Sequence, residues 1–233
     1  MSPVWHSWST PLAPLIGAAV ALALYGHAFL RLRRRGRADH ASWGRAALYG
    51  LGVGLSLLVL VSPLDAVGEE YLISAHMLQH VVLADLAPLL ILLGLRGPLL
   101  FFFLPAPVLR RLAPVRRLRA TLHWLLGPWV AWTVWVVAMV AWHIPRAYDY
   151  ALSHRTAHDL EHLSFVVAGL LIWHTLLDPA RTGRLTAPGR ILFAVAVFIG
   201  PHPIVEVLFF RNTVSYPAYA AQPDRLFGLS AVT

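Results

Sequence analysis

His76 and His80, His158 and His162, and His202 and Glu206 are each four residues apart in a chain that carries twelve histidines and no cysteine. On a helix that spacing places both side chains on one face, about 6 Å apart. Two imidazoles so placed can share or bridge a metal ion. Neutral imidazole suits copper, zinc, iron and nickel, with copper(II) bound most tightly. Without thiolates there is no iron–sulfur cluster and no very tight copper(I) trap, which suits a protein that passes its metal on. The chain has no His-Glu-x-x-His, so a zinc protease loses its main support. One pair alone would be served equally well by hydrogen bonding between helices.

The elements that position these residues are membrane helices. Of the 233 residues, 58% are hydrophobic and 13% charged, too apolar for a soluble domain with a polar shell. Six continuous apolar runs are long enough to cross a hydrocarbon layer roughly 30 Å thick: near Leu12–Leu30, Ala46–Ser62, Tyr71–Leu95, Leu122–His143, His158–Leu177 and Arg190–Phe210. A β-barrel would need alternating segments about half as long. The fold expected is therefore all-α, a polytopic transmembrane helix bundle forming a single domain over residues 1–233. Met1 to Thr10 contain no basic residue, so the first run is read as a retained span rather than a signal peptide.

The formal charge is +8, and all nineteen basic residues are arginine. Fifteen of them fall in the first, third and fifth connections, including Arg31 to Arg45, Arg96 to Arg119 and Arg181 to Arg190. By the positive-inside bias these connections face the cytoplasm and the N-terminus lies outside. Residues 96–120 then form a cytoplasmic surface segment whose arginines meet anionic lipid. Nucleic acid is not the expected partner, since no DNA or RNA module accompanies the charge. Gly50, Gly52 and Gly54 sit inside an apolar run and are read as sites of close helix contact.

With that topology the paired histidines share one depth. His76 and His80 open the third run from the outer side, His143 ends the fourth, His158 and His162 begin the fifth, and His202 with Glu206 lies in the outer half of the sixth. The candidate metal ligands are therefore His76, His80, His158, His162, His143, His202 and Glu206, with copper as the expected metal. Gly200-Pro201-His202-Pro203 should interrupt the sixth run and free carbonyls there. His154 extends one stripe into water, and His6 lies in a terminal segment. His27, His123 and His174 sit toward the inner ends of their runs, and His40 in the basic loop. Met77 is read as a packing residue, the tryptophans of the fourth run as interfacial anchors, and Asp85 as rotated away from the pair that precedes it.

Ser74-Ala-His-Met-Leu-Gln-His80, Ile144-Pro-Arg-Ala-Tyr-Asp-Tyr150 and His158-Asp-Leu-Glu-His-Leu-Ser-Phe165, followed by Gly169 and Trp173, resemble the CtaG family of cytochrome c oxidase assembly proteins from about Pro63 onward. The resemblance implies a non-enzymatic, multi-pass protein of the bacterial plasma membrane that takes part in maturing haem–copper oxidases, with a role in copper delivery. Its partners would be the lipid bilayer and an oxidase subunit or another copper-delivery protein. His76, His80, His158 and His162 match the family's motif histidines; His143, His202 and Glu206 rest on topology. Members continue into a further span, so a seventh helix is expected beyond Thr233. Two other functions stay open on the residues alone: a haem-binding membrane electron carrier using His27 and His174, and a metal transporter using Asp85 and the broken sixth run.

Overall fold

The computed structural model of the protein describes residues 4–201. Every regular element among them is helical. Four helices are long and apolar enough to cross a membrane: α1 (Leu12–Arg34), α2 (Trp43–Val61), the continuous Ile73–Gly94 and α11 (Arg155–Leu177). A fifth crossing is offered by α8 (Arg116–Leu125) and α9 (Pro128–His143), which bend by 62° at their junction. The short α3 (Leu64–Glu70) precedes the third crossing, α6 (Pro98–Phe102) and α7 (Ala106–Leu112) follow it, and α10 (Pro145–Ser153) joins α9 to α11. The sixth apolar run is described as far as α12 (Ala187–Ile199). Its remainder, with His202 and Glu206, lies outside the described residues.

Several boundaries differ from the sequence reading, three of them next to the histidines or within the fourth run. The third crossing begins at Ile73 rather than Tyr71, because α3 ends there and the chain turns through Leu72. Leu122 to Leu125 belong to α8, which the pair Gly127-Pro128 separates from α9; proline at the first helical position starts a helix but cannot continue one. The fifth run is helical from Arg155, three residues before His158.

Apolar side chains also cover the outside. Ile16, Val20 and Leu22 on α1, Leu160 and Leu163 on α11, and Ile191, Leu192 and Phe198 on α12 are exposed, as a bundle solvated by hydrocarbon requires. The chain is thus a multi-pass helical membrane protein. Inside, α11 packs against both α9 and the third crossing, around Ala84, Ala131, Trp135, Phe165, Ala168 and Ile172. A second cluster, built on the stacked rings of Tyr25 and Tyr49 at 4.1 Å, joins α1 to α2.

The third crossing is not uniform. Between α4 (Ile73–Val81) and α5 (Ala87–Gly94), Val82–Leu86 form a π-helical turn, and Ala87 N–H donates to Val82 O. Pro88 has no N–H to offer Ala84 O, so a regular α-turn would be incomplete at this point. Gly169 of α11 sits directly on that carbonyl: a Cβ there would lie 1.9 Å from Ala84 O. Gly52 plays the same part between α2 and α5, where a Cβ would lie 2.8 Å from Ala87 O. Of the three glycines read as contact sites, only Gly52 is one; a Cβ at Gly50 or Gly54 meets nothing within 4 Å.

At the far end of α11, Asp178 adopts a left-handed conformation (φ 45°). Burial works against its charge, but Thr182 and Gly183 N–H groups, the Thr182 hydroxyl and Arg190 hold its carboxyl below the usual range. That network ties the exit of α11 to α12.

Candidate metal centre

The first two turns of α4 and the first two turns of α11 face each other. His76, Gln79 and His80 come from one, and His158, Glu161 and His162 from the other; all six side chains are buried. Each helix contributes residues at i, i+3 and i+4, one stripe per helix. Gln79 is the strut. Its Nε2 donates to Val59 O and to Asp65 Oδ1, both at 2.8 Å, and so links α4 to the end of α2 and to α3. On the other side Trp142 Nε1 donates to Ser164 Oγ at 2.9 Å, and the Ser164 hydroxyl donates to Glu161 O at 2.7 Å, holding α9 to the turn that carries Glu161.

The imidazoles form a contiguous group. Ring centroids lie 4.2 Å apart for His158 and His162, 4.4 Å for His76 and His80, and 5.4 Å for His76 and His158. Nε2 of His76 and Nε2 of His80 are 2.8 Å apart. Glu161 Oε1 lies 3.5 Å from His80 Nε2, close enough for attraction but not aligned as a hydrogen bond. Tyr148 of α10, fully buried, covers the His76 ring at 5.2 Å.

Two tautomers follow from acceptors that cannot donate. His158 Nδ1–H donates to Glu69 Oε1 at 2.8 Å, which leaves the lone pair on Nε2, inside the cluster. His143 Nδ1–H donates to Met139 O at 2.6 Å, which likewise places its lone pair on Nε2. A histidine whose outer nitrogen is held by a carboxylate or carbonyl is the usual arrangement around a metal.

Burial makes the cluster unusual. His76 Nδ1, His80 Nδ1, His158 Nε2, His162 Nε2 and both carboxylate oxygens of Glu161 are buried without a hydrogen-bond partner. An unpartnered buried polar atom costs about 1–3 kcal/mol, and native proteins keep few of them. Six in one place mark a site that a cation would satisfy. Two groups of donors are close enough to do so: His76 with His158 and His162, and His76 with His80 and Glu161, each with its donor atoms within 4.8 Å of one another. All are nitrogen or oxygen donors, a set that fits copper or zinc.

A cavity of about 500 Å³ reaches this cluster. Asp65, Glu69, Arg155 and Asp159 line it, and His158 and His162 form its inner wall. Burial pushes the Asp65 carboxyl up to about 6; the Gln79 hydrogen bond works against this, Glu69 adds to it, and His158 and Arg155 oppose it.

Of the residues predicted from sequence, His76, His80, His158 and His162 come together. His143 packs beside His80, with ring centroids 5.9 Å apart, but belongs to neither donor group. His202 and Glu206 lie outside the described residues. His154 is exposed and stacks on Tyr150 at 4.0 Å. His27 is exposed on α1, His174 is half-buried near the other end of α11, and among the described residues no hydrogen bond or ring contact links the two. Met77 packs against Ile73 and Tyr148. The sequence reading missed Glu161 and Glu69. Glu161 lies three residues after His158, a same-face spacing open to inspection. Glu69 carries no such signal, because α3 meets α11 only in the fold.

An α-helical membrane bundle with buried histidines and a carboxylate at the ends of its helices defines a class of multi-pass proteins with a polar, donor-rich interior. The comparisons narrow it: a model of the family described as cytochrome c oxidase caa3 assembly factor matches residues 23–232, and the chain belongs to that family. It is also similar to two uncharacterized mycobacterial proteins, Mb0105 of Mycobacterium bovis and MT0111 of Mycobacterium tuberculosis. Each is 32% identical over 201 residues, a match covering 79% of this chain and 29% of the relative. The chain thus spans less than a third of the length of those relatives. No solved structure matches.

Proposed function

We propose that this protein is a cytochrome c oxidase assembly factor that binds copper as cargo at the non-cytoplasmic face of the bacterial plasma membrane and hands it to an oxidase subunit. The observation that carries the reading is the group of six buried, unpartnered donor atoms shared by His76, His80, His158, His162 and Glu161, in a chain of the oxidase assembly family. His143, and His202 with Glu206 from the sixth run, complete the proposed surroundings. The protein holds and orients the ion and performs no bond chemistry of its own. Glu69 and Met139 O hold the outer nitrogens of His158 and His143, and the cavity beside His158 gives the ion a way in.

The orientation proposed with it is six spans with the N-terminus outside. The arginine distribution supports it, since the connections opposite the histidine cluster carry most of the charge. A transfer protein needs its site where the oxidase copper is inserted, and donors without thiolate release copper(I) more readily than cysteine would.

The test is an anaerobic copper(I) titration of the purified protein against a His76→Ala/His158→Ala double variant. Wild type is expected to bind and the double variant not to; equal stoichiometry in both would sink the site. A deletion strain should contain oxidase protein depleted of copper, restored by the wild-type gene and not by the double variant.

A further inference from the structure

Bonds from a first-row cation such as zinc to imidazole nitrogen and carboxylate oxygen are about 2.0–2.2 Å long, so two donors on one ion of this size lie at most about 4.4 Å apart. Within a limit of 4.8 Å, the described donors fall into two triads rather than one larger group, and His76 belongs to both. The two triads also differ in access. His158 and His162 line the cavity, whereas His76, His80 and Glu161 do not. Glu161 and His76 are fully buried. There is accordingly an outer position, formed by His158, His162 and His76, and a sealed inner one, formed by His76, His80 and Glu161.

We infer that one cation uses both positions in turn, with His76 as the ligand it keeps throughout. This rests on the copper reading above. The ion enters along the carboxylate-lined cavity and is taken by His158 and His162, whose Nε2 atoms are buried and unpartnered. It then moves inward as His80 and Glu161 bind and His158 and His162 leave. Four ligand bonds change, two made and two broken, and the oxidation state does not. Because His76 holds on, the ion never loses all its protein ligands at once. The inner position includes a carboxylate ligand, Glu161, whereas the three ligands of the outer position are imidazoles. The same path run backwards is release, with a copper acceptor docking over the cavity.

The experiment loads purified full-length protein with one equivalent of copper(I) under anaerobic conditions and follows its removal by an excess of a chromogenic copper(I) chelator. Wild type should hold one copper per chain and release it slowly. Glu161→Gln, which keeps the side-chain shape, and His80→Ala should still bind one copper but release it about tenfold faster or more, the scale on which ligand-shell changes alter metal binding. A His158→Ala/His162→Ala variant should load slowly by a similar factor and, once loaded, release no faster than wild type. Release rates equal in wild type, Glu161→Gln and His80→Ala would overturn the two-position path, as would two coppers per wild-type chain, while leaving copper binding standing. No copper on wild type would overturn the function itself.

Discussion

Glu161 Oε1 lies 3.5 Å from His80 Nε2, with both side chains buried and neither carboxylate oxygen of Glu161 in a hydrogen bond. Such a carboxyl destabilises the metal-free fold. Glu161→Leu should therefore raise the stability of chelator-treated protein, by about 1–3 kcal/mol, while weakening copper binding. Thermal unfolding in detergent and copper(I) competition measure the two. A variant that loses both stability and binding would mean that Glu161 is a structural residue.

Glu69 fixes the tautomer of His158 through the 2.8 Å hydrogen bond to Nδ1. Glu69→Ala should lower copper affinity about 10–100-fold, with helix content unchanged by circular dichroism. Glu69→Gln, which retains an acceptor oxygen, should lose less.

His76 and His143 separate the donors that bind from the one that packs. His76 belongs to both donor groups and His143 to neither. His76→Ala should abolish stoichiometric copper binding, whereas His143→Ala should retain it. Anaerobic titration of both variants decides the matter, and equal loss in the two would make His143 a ligand.

Gly169 permits the contact that brings α11 to the third crossing. A Cβ at 1.9 Å from Ala84 O meets backbone that cannot swing aside, so Gly169→Ala should cost about 3 kcal/mol or more. Gly54→Ala, with nothing within 4 Å, should be neutral or slightly stabilising, since it adds helix propensity. Melting temperatures of the two variants in the same detergent test the contrast.

Asp65 supplies a pH signature. Its carboxyl titrates near 6 in the fold, against 3.8 ordinarily. The folded state therefore binds the proton more tightly than the unfolded chain. Stability from this group is full below about pH 4 and is lost as pH rises through 6. Asp65→Asn should match wild type at pH 4 and be more stable at pH 7, by on the order of 1–3 kcal/mol. Unfolding of metal-free protein at both pH values reads the difference.

Hydropathy and the i, i+4 spacing are local properties, and for that reason the sequence alone determined a helical membrane bundle and the pairing of His76 with His80 and His158 with His162. The bend at Gly127-Pro128 escaped the hydropathy reading because the apolar run continues across it unbroken. What only the tertiary structure decided is the roll and height of each helix against its neighbours. Gly169 seated on Ala84 O, at a π-turn next to Pro88, sets the height of α11 relative to α4. That height brings Glu161 to His80 and leaves His143 beside the donors rather than among them. Glu69 meets His158 because α3 folds over the end of α11. Periodicity states which residues share a face of one helix; only close packing between helices decides which faces meet.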